Sequence, residues 1–249
     1  MRKRNKEVMP DGAEIIETDE LLLTERSLSD VTANSRIGAF VGASGTGKTF
    51  SVREIVDGME DVEVVWLEFE SRPTILHLAR VIYRGLFDDE PPAVRNSISN
   101  AIILGLSRNG RQRKLLLVVD EAQRLNTECI EYLRYLHDHV GTGFSLAILG
   151  GDGAWNVIRR EPMLLSRIYR RVTFTPMGED MVLEMLPNYH SMYGNMKEDL
   201  ITQLNDHCKG IFRLWATVTE TLVSLMAEKN AKRVDQKMVD TTISLVFED

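Results

Sequence analysis

The chain has 249 residues, 43% of them apolar and 27% charged, with a formal net charge of −7. That length suits one large domain, or a domain with a smaller companion, and the charge argues against a surface coated with positive charge for nucleic acid while leaving room for a local basic stripe. No run of about 18 apolar residues is present, so no membrane span is expected; the basic start MRKRNKEVMPDGAE leads into no apolar segment, so it is not read as a secretory signal; and Cys129 and Cys208 have no Cys or His at zinc spacing, which places the chain in the reducing cytoplasm with both thiols packed as small apolar groups.

Residues 1–34 are mixed and polar: MRKRNK is a charge run, and ETDELLLTERSLSD is expected to form a short helix. RIGAFVG, from Ser35 onward, reads as a short buried strand. TFSVREIVDGM (49–59) places Val52, Ile55 and Val56 on one helical face. VEVVWLEF (62–69) is β-branched and aromatic, hence a strand, and TILHLARVIYRGLF (74–87) is apolar at helical spacing until the paired prolines of DDEPPAV break it. A helix at about 94–107 is followed by LLLVVDEA (115–122), an apolar run suited to a strand buried on both faces. CIEYLRYLHDHV (129–140) is an amphipathic helix, on which His137 and His139 are taken as surface residues. FSLAILGG (144–151) is another buried strand, VIRREPMLLSRIYR (157–170) a short helix broken near Pro162, and RVTFTP the last strand. Alternating strands and helices predict a mostly parallel sheet with helices on both faces. After Pro176 only helical periodicity is found. The expected organisation is an N-terminal segment (1–34), an α/β nucleotide-binding domain (35–176) and a C-terminal all-helical lid (177–249).

GASGTGKT, Gly42 to Thr49, follows the first strand and opens a helix, and it matches G-x-x-x-x-G-K-[ST]. Gly42, Gly45 and Gly47 strip the backbone so that successive N–H groups converge on phosphate oxygens, and the helix that begins near Lys48 adds its N-terminal partial charge. Lys48 is suited to the β- and γ-phosphates, and the Thr49 hydroxyl to Mg²⁺. The candidate nucleotide-binding set is Gly42, Ala43, Ser44, Gly45, Thr46, Gly47, Lys48 and Thr49, with Phe50 just inside the helix. The implied ligands are ATP and Mg²⁺.

LLLVVDEA ends in Asp120–Glu121. An acid after a buried apolar run stands at the carboxyl end of its strand, where α/β sheets bind ligands. Asp120 is the candidate metal ligand beside Thr49, and Glu121 the residue that orients and activates the attacking water. The pair points to hydrolysis of the β–γ bond.

GASGTGKT, then DEAQRL (120–125), a strand ending in LGG, an arginine-bearing helix and KGIFRL together resemble an AAA+ ATPase. DEAQRL and the compact lid are similar to the MuB/TniB group of ATP-dependent DNA transposition regulators, and also to ExeA-type and origin-recognition-type ATPases. The resemblance implies a P-loop fold with a five-stranded parallel sheet ordered 5-1-4-3-2 and a helical lid. It also implies a polar γ-phosphate sensor at the end of the fourth core strand; here that strand ends in Leu149-Gly150-Gly151-Asp152, so the usual Asn, Thr or Ser is missing, and GGDG reads as a turn. It further implies a finger arginine acting on a neighbour's nucleotide, with Arg167 the best match and Arg170 second, and a lid arginine, Arg213 in Gly210-x-x-Arg213, whose fork matches phosphate oxygens.

The transposition regulators assemble on duplex DNA, so double-stranded DNA, a transposase or integrase, and further copies of the chain as a ring or helical filament are the implied partners. Arg80 and Arg84 share a helical face at i, i+4, and Arg95 follows the proline break; these are the candidate DNA contacts. SRNGRQRK adds Arg108, Arg111, Arg113 and Lys114. No aromatic ladder is interleaved with these bases, so no single-strand stacking platform is expected. Two other readings remain open: an ExeA-like assembly ATPase that acts on protein partners without DNA, and an ATP-binding protein with negligible hydrolysis.

Overall fold

Strands with apolar residues at successive positions bury both faces, and a five-stranded sheet with such strands in its middle builds the centre of this chain. The structure is a computed structural model that describes residues 9–69, 71–107 and 113–248. The chain folds as two compact units: residues 19–44 and 48–174 in one, and the described residues up to 18, 45–47 and from 175 onward in the other.

The first unit contains α1 (Asp19–Asn34), β1 (Ile37–Gly42), α2 (Lys48–Asp57), β2 (Val62–Leu67), α3 (Ile75–Phe87), α4 (Arg95–Gly105), β3 (Lys114–Val119), α5 (Thr127–Asp138), β4 (Ser145–Gly150), α6 (Ala154–Arg159), α7 (Pro162–Leu165) and β5 (Ile168–Phe174). The sheet runs β2-β3-β4-β1-β5, the expected 5-1-4-3-2 order, and every pairing is parallel. Alternation at period two sorts its side chains. Ile37, Ala39 and Val41 join Leu78, Ile82, Ile98, Leu133 and Ile158 of α3 to α6. On the opposite face Phe40, Leu116, Val118 and Leu149 meet Leu28 of α1 and Val52 and Val56 of α2. Covering both faces lets a strand such as Leu115–Val119 be apolar throughout.

Helix α1 is longer than the stretch anticipated from the sequence and is built into the sheet unit. Leu28 and Val31 are fully buried, and the Ser145 hydroxyl at the start of β4 donates to Val31 O at 3.1 Å. The 157–170 stretch also resolves differently: α6 and α7 are two short helices, and Ile168, Tyr169 and Arg170 already belong to β5. Pro162 at the first position of α7 restarts the helix because its missing N–H is no loss there.

The second unit holds α8 (Glu179–Tyr189), α9 (Glu198–Cys208), α10 (Phe212–Glu228) and α11 (Gln236–Phe247), which form the helical C-terminal region. Its core centres on Trp215 and Tyr193, both 1% exposed, whose rings meet edge to face at 5.8 Å. The Tyr193 hydroxyl shares a 2.8 Å hydrogen bond with Thr219. Residues 10–14 lie along the end of α8, where Glu14 N–H donates to Tyr189 O at 2.8 Å. Both cysteines are buried; burial pushes the Cys208 thiol up to about 12, so it packs as an apolar group.

Candidate functional site

Four elements converge at the carboxyl end of the sheet. β1 stops at Gly42, whose register partner is Phe174 at the end of β5. The two backbones touch there, and a Cβ on Gly42 would run into Phe174 O. The loop then turns through Gly45 and Gly47 at φ +79° and +92°, and α2 starts at Lys48. Thr46 and Lys48 are 2% and 8% exposed. The buried ammonium of Lys48 donates to Gly42 O at 2.9 Å and Ala43 O at 2.5 Å, so it lies folded into its own loop. Ser44 is exposed, while Ala43 and Phe50 are half-buried.

β3 delivers the acids. Thr49 Oγ1 donates to Asp120 Oδ2 at 3.0 Å, and Asp120 Oδ1 accepts the Glu121 N–H at 2.8 Å. A hydroxyl and a carboxylate side by side are hard oxygen donors of the kind Mg²⁺ takes beside phosphate. A glycine-lined loop with an ammonium at a helix start is likewise a cradle for polyphosphate. The residues present therefore fit a magnesium nucleotide.

Glu121 sits in the left-handed region at φ +55°, ψ +41°, which swings its side chain out of line with the strand. Its Oε2 accepts from Gln123 Nε2 at 2.8 Å and lies 3.5 Å from Arg124 Nε. Arg124 also donates to Phe69 O, beyond the end of β2, at 2.8 Å. The other end of the Gln123 amide accepts the Gly151 N–H at 2.9 Å. The stretch after β4 is therefore more than the turn read from GGDG: its backbone is tied to the acidic pair. Motif spacing did not single out Gln123 or Arg124. The signal for them was the missing polar residue at the end of β4.

The arginines are spread out. Arg167 lies between α7 and β5, where Nε meets Asp138 Oδ1 at 2.6 Å and Nη1 donates to Met163 O at 2.5 Å. Asp138 is held below its usual value: partial burial pushes its carboxyl up, but the Arg167 and Arg134 guanidiniums beside it outweigh that. Arg170 lies within β5, where it pairs with Asp30 at 2.8 Å and stacks over Tyr169 at 4.1 Å; this places it on the edge strand instead of the preceding helix. Arg171 covers the Trp155 ring at 3.9 Å. In the helical unit, Arg213 opens α10 and its N–H donates to Gly45 O at 3.1 Å, setting it beside the loop tip.

The candidate DNA contacts are partly neutralised. Arg84 is paired with Glu90 at 2.9 Å, and Arg80 also feels the Glu90 charge. The Arg95 side chain lies outside the described residues, as do Arg108 and Arg111. Lys114 pairs with Asp61 at 2.9 Å. His137 is half-buried, with Nε2 3.2 Å from Ser35 O and its ring edge-on to Phe144 at 5.5 Å. It was expected on the surface; the turn into β1 covers it.

A strand–glycine loop–helix carrying Lys48 and Thr49, with Asp120 bonded to that threonine across a 5-1-4-3-2 sheet, defines a P-loop NTPase. A family model described as an AAA domain matches residues 31–158, just over half of the chain. The chain belongs to this family: it is a nucleotide-binding AAA-domain P-loop ATPase. Among solved structures it is similar to Cdc6p from Pyrobaculum aerophilum, at 17% identity and TM-score 0.76, over 97% of this chain and 69% of that one. It is also similar to the Aeropyrum pernix ORC1 protein in complex with DNA, at 16% identity and TM-score 0.70, over 95% and 68%. A third is the Thermotoga maritima RuvB Holliday junction branch migration motor, at 15% identity and TM-score 0.61, over 94% and 71%. At such identities the likeness is one of fold. No curated protein matches the sequence. Among the described residues no helix is long and apolar enough to cross a membrane.

Proposed function

We propose that the chain is an ATP-switched assembly protein of DNA transposition, similar to the MuB/TniB regulators and working in the cytoplasm. Subunits bind ATP, assemble as a ring or filament on double-stranded DNA, recruit or activate a transposase or integrase, and leave when ATP is hydrolysed. The contact that carries the ATP-dependent part is Thr49 Oγ1 to Asp120 Oδ2, which joins the phosphate loop to the acidic strand. Lys48 would exchange two loop carbonyls for phosphate oxygens. Thr49 and Asp120 would hold Mg²⁺, which supplies charge neutralisation at the phosphates when bound. Glu121 would orient the attacking water and receive its proton. Arg213 would read the terminal phosphate. Arg167, with Arg170 as the second candidate, would act on a neighbour's nucleotide, and to do so would have to exchange Asp138 for phosphate.

The DNA part rests on DEAQRL, on the DNA-bound ORC1 and Holliday-junction RuvB folds, and on exposed cations that could follow a phosphate backbone. Arg80 and Arg84 are the first of these, with Arg95 beside them in the sequence. The turn between α10 and α11 adds Lys229, Lys232 and Arg233, and the start of α11 adds Lys237, all exposed. Each cation contributes little alone, and an assembly repeats it. The test is retention of labelled duplexes of increasing length by the full chain with ATP and Mg²⁺. Retention should rise with length, fall with salt, vanish in Lys48→Ala and persist longest in Glu121→Gln. Length-independent or nucleotide-independent retention would overturn the reading.

One observation favours a second reading, an ExeA-like assembly ATPase acting on protein partners: the net charge of −7 together with the Arg84–Glu90 pair weakens the proposed DNA face. It predicts ATP-dependent oligomers indifferent to DNA and to salt.

A further inference from the structure

The end of β4 carries no polar side chain at the place where one is needed. Gly150 cannot supply it: a Cβ there would collide with Ala154 Cβ and stand 3.1 Å from Gln123 Oε1. Beside Gly151 the space is already taken by the Gln123 amide, 3.4 Å from where a Cβ would lie. The amide is engaged at both ends. Its oxygen accepts the Gly151 N–H at 2.9 Å, and its nitrogen donates to Glu121 Oε2 at 2.8 Å. The two partners dictate the orientation, because an N–H needs the oxygen and a carboxylate needs the NH₂. Glu121 Oε2 is thereby occupied, with Arg124 Nε alongside at 3.5 Å. Oε1 has no partner among the described residues and is the oxygen left for a water.

We propose that Gln123 is a positioning residue that replaces the missing polar side chain of β4. It joins the backbone after β4 to the carboxylate of Glu121, so that a shift of Gly151 re-aims that carboxylate. The proposal rests on the reading of Glu121 as the residue that activates water. Two physical consequences follow. The strand-end backbone and the base become mechanically linked. The amide touches neither the phosphate loop nor Lys48, so it acts on turnover and not on nucleotide affinity.

The experiment is steady-state ATP hydrolysis by the full chain with Mg²⁺ for wild type, Gln123→Met, Gln123→Glu and Glu121→Gln, with the unfolding temperature of each. Met keeps the shape and loses both hydrogen bonds. Glu keeps an acceptor for Gly151 but sets a second carboxylate against Glu121. For Gln123→Met, kcat is expected to fall at least about tenfold, with KM for ATP within about twofold and an unchanged unfolding temperature. Gln123→Glu should lower kcat at least as far with KM again within about twofold, because it keeps the acceptor for Gly151 but repels the Glu121 carboxylate in place of holding it. A fall in kcat matched by a rise in KM or by a lowered unfolding temperature would reduce Gln123 to a structural prop and overturn the proposal. If Glu121→Gln abolishes turnover while Gln123→Met behaves as wild type, the proposal falls and the reading of Glu121 stands. If Glu121→Gln leaves turnover intact, both fall.

Discussion

Lys48 shows at the residue scale how much one buried charge decides. The residue is 8% exposed, and its ammonium donates to Gly42 O and Ala43 O; neutral carbonyls are weaker partners than a polyphosphate. Lys48→Ala is expected to weaken ATP binding by about 100-fold or more, equivalent to about 2.7 kcal/mol, measured by fluorescent-nucleotide titration. Glu121→Gln should leave binding intact and lower kcat by about 10²–10⁴. Gly42 serves a different purpose: its backbone lies directly on Phe174, so Gly42→Ala must push the ends of β1 and β5 apart. Overpacking of that kind costs about 1–3 kcal/mol, which a denaturant titration would detect.

Among the elements, the connection from α7 into β5 decides what the candidate finger can do. Arg167 is held by Asp138, which Arg134 of α5 also holds. If Arg167 acts in trans, Arg167→Ala should lower turnover by about 10³–10⁵ and abolish its dependence on protein concentration, while Asp138→Asn should free the arginine and lower the protein concentration at which turnover accelerates. In the helical unit, Gly210 joins α9 to α10 at φ +69°, with Met177 N–H bonded to its carbonyl at 3.0 Å. A Cβ there would strike Met177 O. The glycine of Gly210-x-x-Arg213 is thus required by a close backbone approach, whatever the arginine does. These elements also mark what local pattern could show. The helical period of 74–87 and the apolar run of 115–119 are legible because burial stamps them on the letters. Ile168–Arg170 was misplaced because IYR on an edge strand is only partly buried and carries no alternation strong enough to separate it from the preceding turn.

At the scale of the whole molecule, His137 ties stability to pH. Burial of the ring lowers its value from 6.5; the Ser35 carbonyl and Asp138 oppose this, and Arg167 and Arg36 add to it. The unfolded chain therefore binds the proton more readily than the folded one. This contribution is fully present above about pH 6.5 and is lost as pH falls through the lowered folded value. Thermal unfolding between pH 7.5 and 5 should show a decline that His137→Gln flattens.

The phosphate loop, the Asp120–Glu121 pair and the strand–helix alternation were determined by the sequence alone. Each is a local requirement: bare backbone near phosphate, acids at a strand end, apolar runs inside a two-sided sheet. Only the tertiary structure decided that Thr49 meets Asp120, that α1 belongs to the sheet, that Arg84 and Arg167 face carboxylates, and that Gln123 stands where β4 lacks a side chain. Those are pairings between residues far apart in the chain or across a turn of unusual φ. They depend on three-dimensional register, which no local spacing of residues encodes.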